Sequence, residues 1–116
     1  MDLNHVALTV RDREVAAAFY GRHFGLTRRV HEDAHLLILG GDGGHLLALS
    51  EGASPATGLP RTNHFGFRAT PDDVRAARRA FAAAGVEETE WQDGHGFVRC
   101  QVLDPDGYRV EVYGIA

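Results

Sequence analysis

The stretch Asp104-Pro105-Asp106-Gly107-Tyr108-Arg109-Val110-Glu111-Val112-Tyr113 decides how the rest of the chain is interpreted. Its first four residues are typical of a tight turn, because proline presets φ at the second position and glycine relieves strain at the fourth. The residues that follow alternate as in a β-strand, with two valines on one face and Arg109, Glu111 and Tyr113 on the other.

Glu111 lies in the middle of this expected strand, where a carboxylate needs a cation, a hydrogen-bond donor or a metal ion as its partner. One interpretation is a solvated strand face on which Glu111 pairs with Arg109, because aspartate and glutamate are mostly exposed. The other is a functional carboxylate that binds a ligand. This strand alone leaves both interpretations open.

Composition indicates one globular domain. The chain has 116 residues, of which 44% are hydrophobic and 24% charged. A net charge of -4 gives no basic patch for nucleic acid, and no apolar run approaches the length of a membrane span. The first residues lack the features of a signal peptide, so we expect a cytoplasmic location.

The residue types that are missing narrow the possible chemistry. All 12 basic residues are arginine, so neither a lysine Schiff base nor a lysine grip on phosphate is available. The one cysteine, Cys100, excludes an internal disulfide, and its place in a strand-like run favours a packing role over a nucleophilic one. The 7 histidines are numerous for this length, and we expect most of them on the surface.

The chain repeats one pattern. Asn-His opens a strand-like run at 4–5 and again at 63–64, and the helix that follows each run ends at a glycine, Gly25 or Gly85. Asp12 is the expected cap of the first helix, and Thr70-Pro71 begins the second. The expected strands span about 3–10, 27–31, 35–39, 45–50, 63–68, 86–91, 97–103 and 108–113.

Two copies about 60 residues apart predict two tandem βαβββ modules, because two repeats are too few for a solenoid. We therefore expect an α+β fold in which the modules form a curved, cleft-enclosing mixed sheet. The whole chain, 1–116, would be one domain. Module one would cover about 1–52, a connector about 53–62, and module two about 63–116.

Several of these features together resemble the vicinal oxygen chelate superfamily. They are the two Asn-His strand starts, the first helix ending in Phe24-Gly25-Leu26, and the stretch from Asp104 to Glu111. That superfamily includes glyoxalase I, extradiol dioxygenases, fosfomycin-resistance thiol transferases and bleomycin-resistance proteins. The resemblance covers essentially the whole chain and implies a glyoxalase/dioxygenase-like fold.

The resemblance implies that His5, His64 and Glu111 are metal ligands and that Glu111 is also catalytic. Two histidines and one carboxylate suit a divalent transition metal with coordination positions left open, so iron, manganese, nickel or zinc is the expected cofactor. Strand alternation puts small neighbours such as Ala7 and Gly66 beside the two histidines, which leaves room for an ion. The competing structural interpretation is an ion pair between Arg68 and Glu111.

Three positions depart from the relatives. Ala48 stands where glyoxalase I and methylmalonyl-CoA epimerase have a fourth ligand, so residues 46 to 50 are expected to supply none. Ala7 replaces a threonine of the fosfomycin enzymes, which also use a lysine that this chain lacks. Gln101 replaces a tyrosine of the extradiol enzymes. No single known activity is therefore matched residue by residue.

The main hypothesis is a metal-dependent enzyme that binds a small substrate through two adjacent oxygens and stabilises an enolate or catecholate. Its chemistry would be dioxygenase-like, or that of a glyoxalase-like lyase or isomerase, and the open-sided triad is most similar to the oxygenases. The expected substrate contacts are polar residues of the cleft, with a solvent-facing or structural role as the alternative for each: Arg68, His95, Arg99 and Gln101.

Two other functions stay open. The chain could be a small-molecule binding protein of the bleomycin-resistance type, without catalysis, or a metal-holding but inactive module of a larger assembly. For the enzyme, the resemblance implies a homodimer with shared active sites, in which His5 of one chain meets His64 and Glu111 of its partner. Neither a nucleic acid nor a membrane is expected as a partner.

Overall fold

Each half of the chain contains one strand, one helix and three further strands, in that order. The computed structural model describes residues 1–53 and 58–116, so part of the expected connector, residues 54–57, lies outside the described residues. The chain divides into two units, Met1–Thr57 and Gly58–Ala116.

The first unit is built on a four-stranded mixed sheet. Its elements are β1 (His5–Val10), α1 (Arg13–Phe24), β2 (Arg28–Glu32), β3 (Leu37–Gly40) and β4 (Leu46–Glu51). The strand order is β1-β4-β3-β2, in which β1 runs parallel to β4 and the other neighbours are antiparallel.

The second unit repeats this topology. Its elements are β5 (Phe65–Ala69), α2 (Pro71–Ala83), β6 (Glu88–Gly94), β7 (Phe97–Leu103) and β8 (Arg109–Ile115). The strand order is β5-β8-β7-β6, and β5 runs parallel to β8. The predicted α+β fold of two βαβββ modules is confirmed. Neither helix of the described residues is long and apolar enough to cross a membrane.

Both helices begin at the predicted caps and α1 ends at the predicted glycine, whereas α2 ends at Ala83 with Ala84 as its cap, just before the predicted Gly85. The Asp12 carboxylate accepts the backbone N–H groups of residues 14 and 15, at 2.9 and 3.2 Å, and Gly25 ends α1 with φ at 71°. Thr70 Oγ1 accepts the N–H of Asp73 at 3.1 Å, and proline occupies the first helical position of α2. These signals act within a few residues, which is why the sequence reveals them.

The buried stripe of α1 is narrow. Ala16 and Tyr20, four residues apart, are fully buried, whereas Val15 is 51% exposed. In the second unit, α2 packs against β7 and β8 through Val74 and Phe81. This packing gives the second sheet one face covered by a helix and one polar face.

The tight turn predicted at Asp104–Gly107 is confirmed. Asp104 Oδ1 accepts the backbone N–H groups of Asp106 and Tyr108 at 2.8 and 2.9 Å. Gly107 has φ at 90° and donates its N–H to the Asp104 carbonyl at 3.0 Å. The turn holds β7 and β8 in one register, which pairs Gln101 with Glu111.

Candidate functional site

The polar face of the second sheet carries the site residues. Val110 and Val112 are buried on the side of α2, so alternation directs Glu111 and Tyr113 to the opposite face. The Glu111 side chain is 12% exposed and the His64 side chain 37%. The carboxylate is therefore partly shielded from solvent but remains accessible.

Strand register arranges this face in two rows. The ligand row crosses β5, β8, β7 and β6 and contains Gly66, Glu111, Gln101 and Glu90. The arginine row contains Arg68, Tyr113, Arg99 and Gln92 in the same strand order. Two residues along a strand separate the rows, a distance of about 7 Å.

His64 and Glu111 face each other across a short gap. His64 Nε2 lies 3.8 Å from Glu111 Oε2, and His64 Nδ1 lies 2.8 Å from the Thr62 carbonyl oxygen. Because a carbonyl oxygen only accepts, Nδ1 carries the hydrogen, and in the neutral ring Nε2 presents its lone pair. Bonds of about 2.1 Å would let both atoms reach one ion, since twice that length exceeds their separation.

Gly66 leaves the space in which the Glu111 side chain lies. A Cβ atom at this position would be 3.2 Å from the Glu111 carbonyl oxygen, 3.4 Å from its Cβ and 3.7 Å from its Oε2. The small neighbour expected beside the second histidine is therefore packed against the carboxylate.

His5 has its own anchor in the first unit. Its Nδ1 lies 2.9 Å from Asn4 Oδ1, an acceptor, so in the neutral ring Nε2 again presents its lone pair. His5 is exposed at the start of β1, a strand on which Ala7 pairs with Ala48 of β4. The alanine offers no ligand atom.

The expected triad is divided between the two units, with His5 in the first and His64 and Glu111 in the second. Across residues 1–53 and 58–116, no group of three or more His, Cys, Asp or Glu side chains lies together in a way that could hold a metal ion. The structure thus brings together two of the three expected ligands, and the complete triad stays a prediction.

Glu111 pairs with Arg99, and not with Arg109 or Arg68, the two partners considered from the sequence. Arg99 Nη1 lies 2.6 Å from Glu111 Oε1 and 2.7 Å from Glu90 Oε2. Arg109 instead donates to the Pro60 carbonyl at 3.4 Å. The Arg68 side chain has no ion-pair or hydrogen-bond partner in the part of the chain that the structure describes.

The contacts in this cluster shift the pKa values of Arg99 and Glu90. The hydrogen bond to Glu111, followed by the one to Glu90, raises the pKa of Arg99. The hydrogen bond from Arg99 lowers the pKa of Glu90. Arg99 and Glu90 are therefore both charged at neutral pH, and Arg99 Nη1 bridges the carboxylates of Glu90 and Glu111.

The two remaining predicted substrate contacts differ in position. Gln101 lies beside Glu111 in the ligand row and is 3% exposed, and its Oε1 accepts from Thr89 Oγ1 at 2.9 Å. His95 lies in the two-residue turn between β6 and β7, beyond Phe97. Four residues of strand separate Phe97 from Gln101, roughly 13 Å, so His95 is outside the ligand row.

Sequence reasoning missed Glu90 and the Thr62 carbonyl as members of the site. The face on which Glu90 lies could not be predicted by simple alternation, because β6 shifts its register against β7 at Thr89. The Arg99–Glu111 contact had a usable signal, because a turn at residues 104–107 pairs Gln101 with Glu111 and makes Arg99 a diagonal neighbour.

Comparison with known proteins places these features in context. The model of the Glyoxalase/Bleomycin resistance protein/Dioxygenase superfamily matches residues 2–112. No curated protein is similar enough to count as a match.

Several solved structures are similar along nearly their whole length. A possible glyoxalase from Bacillus cereus is 26% identical, with a TM-score of 0.80 and coverage of 97% of both chains. The lactoylglutathione lyase from Agrobacterium tumefaciens is 25% identical, with a TM-score of 0.75 and coverage of 97% of this chain and 92% of the other. The fosfomycin resistance protein FosX from Listeria monocytogenes, solved with Mn(II) and a sulfate ion, is 20% identical, with a TM-score of 0.84 and coverage of 99% and 90%.

Proposed function

This chain belongs to the Glyoxalase/Bleomycin resistance protein/Dioxygenase superfamily, and from that premise we propose that it is an enzyme that uses a divalent metal ion to bind a small substrate through two adjacent oxygens. The observation that carries the proposal is the gap between His64 Nε2 and Glu111 Oε2. These two atoms lie 3.8 Å apart at a partly shielded carboxylate, and they would supply two of the three protein ligands of the proposed cation site.

The proposed ligands are His5, His64 and Glu111, and each is anchored through the atom that would not bind the ion. Asn4 holds Nδ1 of His5 and the Thr62 carbonyl holds Nδ1 of His64. Arg99 holds Oε1 of Glu111. Anchors of this kind orient metal ligands and select the histidine tautomer that binds. Iron, manganese, nickel and zinc all suit this donor set, which leaves positions open for substrate.

When bound, the ion would act as a Lewis acid toward the two substrate oxygens. The chain's own contribution is to orient the Glu111 carboxylate, through Arg99, and to leave space beside it, through Gly66. The two similar structures named as a possible glyoxalase and a lactoylglutathione lyase support a glyoxalase-like lyase or isomerase reaction. The open-sided ligand set supports a dioxygenase-like reaction as the second candidate.

Metal binding is the first test. Metal-free protein, prepared without an affinity tag, is titrated in turn with Mn(II), Fe(II), Ni(II) and Zn(II). We expect tight binding of at least one ion, loss of that binding in Glu111→Ala, and an unchanged circular dichroism spectrum in the variant. Glu87→Ala, which removes an exposed carboxylate of the same unit, should bind like the unaltered protein. Stoichiometric metal retained by Glu111→Ala would contradict the assignment.

Turnover is the second test. Protein loaded with each ion is assayed against catechols, 2-oxo acids and thiol adducts. We expect activity toward one class, and none in Glu111→Ala. Metal binding without turnover in any class would count against an enzyme and favour a binding protein.

We also propose that the working form is a homodimer in which two chains share each site. The face of the first sheet that carries His5 also bears half-exposed apolar side chains at Ile38, Leu46 and Ala48. A second copy would cover this apolar surface and add the third ligand. The expected interface is of the obligate kind, roughly 2,000 Å² or more in total.

A further inference from the structure

The polar face of the second sheet has the opposite charge to the chain as a whole. The protein carries a net charge of -4. On this face, the three arginines Arg68, Arg99 and Arg109 outnumber the two glutamates Glu90 and Glu111, so the local sum is 3 - 2 = +1. A divalent ion at Glu111 would raise this sum by two charges. A loaded site would therefore attract an anionic ligand despite the acidic character of the chain.

We propose that the substrate carries an anionic group, a carboxylate or a phosphonate, beside its two chelating oxygens, and that Arg99 and Arg68 bind that group. This inference rests on the proposed metal-dependent function and adds to it the chemical class of the substrate.

The arginine row supplies the geometry. Arg68 and Arg99 pair with Tyr113 through strands on its two sides, and the Arg99 guanidinium turns back to the ligand row, where it contacts Glu111 and Glu90. A substrate held by its oxygens at Glu111 would lie beside the Arg99 guanidinium, and a substituent about 7 Å away would reach the row of Arg68. Arg68 is exposed and has no ionic partner among residues 1–53 and 58–116, so its guanidinium is available to a ligand.

Arg99 is engaged but not saturated. Its Nη1 contacts both Glu111 and Glu90, and its Nε donates to Gln92 at 3.3 Å. Its Nη2 has no hydrogen-bond partner within the described ranges, and the side chain is 28% exposed. Guanidinium groups bind carboxylate and phosphonate oxygens well. Because Nη1 and Nε already have partners, Nη2 is the nitrogen that would donate to such an oxygen. An ion on Glu111 would share the charge of that carboxylate and loosen its hold on Arg99.

A matched pair of probes tests the proposal. Both 3,4-dihydroxybenzoate and 3,4-dihydroxybenzamide present the same two adjacent hydroxyls, and only the first carries a charge. We expect loaded protein to bind the benzoate at least about tenfold more tightly than the benzamide. In Arg99→Gln this preference should fall by about tenfold, because the change keeps a hydrogen-bond donor and removes the charge. The readout is the ratio of the two affinities, which cancels any change in the metal site itself.

Two further variants sharpen the result. Glu90→Gln removes a carboxylate that competes for Arg99, so the preference for the benzoate should increase. Arg79→Gln removes an exposed arginine of α2 and should leave the preference unchanged. Equal losses in Arg79→Gln and Arg99→Gln would mean that only overall charge matters, which would overturn the proposal.

The outcomes separate the two claims. If the protein takes up no metal ion, the proposed function fails, and this inference fails with it. If metal binds and the loaded protein treats the two probes alike, or Arg99→Gln keeps the full preference, only the inference is wrong. A loaded site that binds neither probe also contradicts it, because the proposal requires an ion open to two adjacent oxygens.

Discussion

At the scale of the residue, the two carboxylate oxygens of Glu111 have different neighbours: Oε1 contacts Arg99, and Oε2 faces His64. Gly66 lies beside this side chain, and a Cβ there would be 3.2 Å from the Glu111 carbonyl oxygen and 3.4 Å from its Cβ, so Glu111 would have to shift by a few tenths of an ångström. We expect Gly66→Ala to turn the carboxylate and weaken metal binding by about tenfold, as changes behind a ligand commonly do. Gly58→Ala is the matched control, because its Cβ would meet nothing within 4 Å among residues 1–53 and 58–116. Equal metal affinity in both variants would argue against this role of Gly66.

Cys100 gives a second prediction at this scale. Burial, with a smaller contribution from Glu88, raises the pKa of its thiol to about 12. The thiol is therefore protonated near neutrality, and iodoacetamide should not modify the native protein at pH 8. The same sample in concentrated urea should react within minutes, as followed by mass spectrometry. Rapid native labelling would contradict the packing role.

The ion pair between Arg78 and Glu88 predicts a dependence of stability on pH. The hydrogen bond from Arg78 lowers the pKa of Glu88 from its ordinary 4.5, so the folded state holds this proton more weakly than the unfolded state does. The stabilisation is present above pH 4.5 and is lost as pH falls through the folded value. Glu88→Gln should therefore melt below the unaltered protein at pH 7, and this difference should close in acid. Glu87→Gln, at an exposed neighbour, should show no such convergence.

Part of the site could be predicted from single residues and part could not. Alternation along the strand shows which face carries Glu111, because side chains point to alternate sides. It does not show which of several arginines will reach the carboxylate, since that depends on pairing between β7 and β8. The partner Arg99 lies on a neighbouring strand, whereas Arg109 lies on the same strand as Glu111.

At the scale of the element, the connection from β5 to α2 is packed directly on β8. A Cβ on Gly114 would lie 2.6 Å from the Pro71 nitrogen and 2.7 Å from the Thr70 carbonyl carbon, both backbone atoms. Gly114→Ala should lower the free energy of unfolding by about 2 kcal/mol or more, because backbone cannot move aside as a side chain can. Gly21→Ala, inside α1 with its nearest contact at 3.6 Å, should be neutral or slightly stabilising. Urea denaturation of both variants measures the contrast.

Elements were predicted well where their signals are local. Caps and turns act over three or four residues, so both helices and the turn at Asp104 follow from the sequence. Strand limits are less visible. β3 begins at Leu37, two residues later than expected, because the Asp33 carboxylate accepts the N–H groups of His35 and Leu36 in a turn. β6 extends to Gly94, which leaves only His95 and Gly96 in the turn.

At the scale of the whole molecule, the repeat of Asn-His was enough to predict two modules, but a repeat does not reveal how many chains complete a site.

Subunit exchange answers that question. Inactive His5→Ala and Glu111→Ala proteins, mixed and allowed to exchange, should regain about one intact site in each mixed dimer, because each chain supplies the ligand that the other lacks. Absence of complementation despite proven exchange, or a monomer at micromolar concentration, would show that each chain completes its own site.

The parallel pairing of first and last strands also sets the order in which a new chain can fold. During synthesis, β1 can pair with β4 only after β4 has been made, and β5 can pair with β8 only after β8 has been made. His64 therefore meets Glu111 only after the intervening segment has closed into a loop, a step whose entropic cost grows with the number of residues enclosed. A translation product that stops short of β8 leaves β5 without its partner strand and exposes a hydrogen-bonding edge. Such an edge is a template for pairing with another chain, so the truncated product should be prone to aggregation.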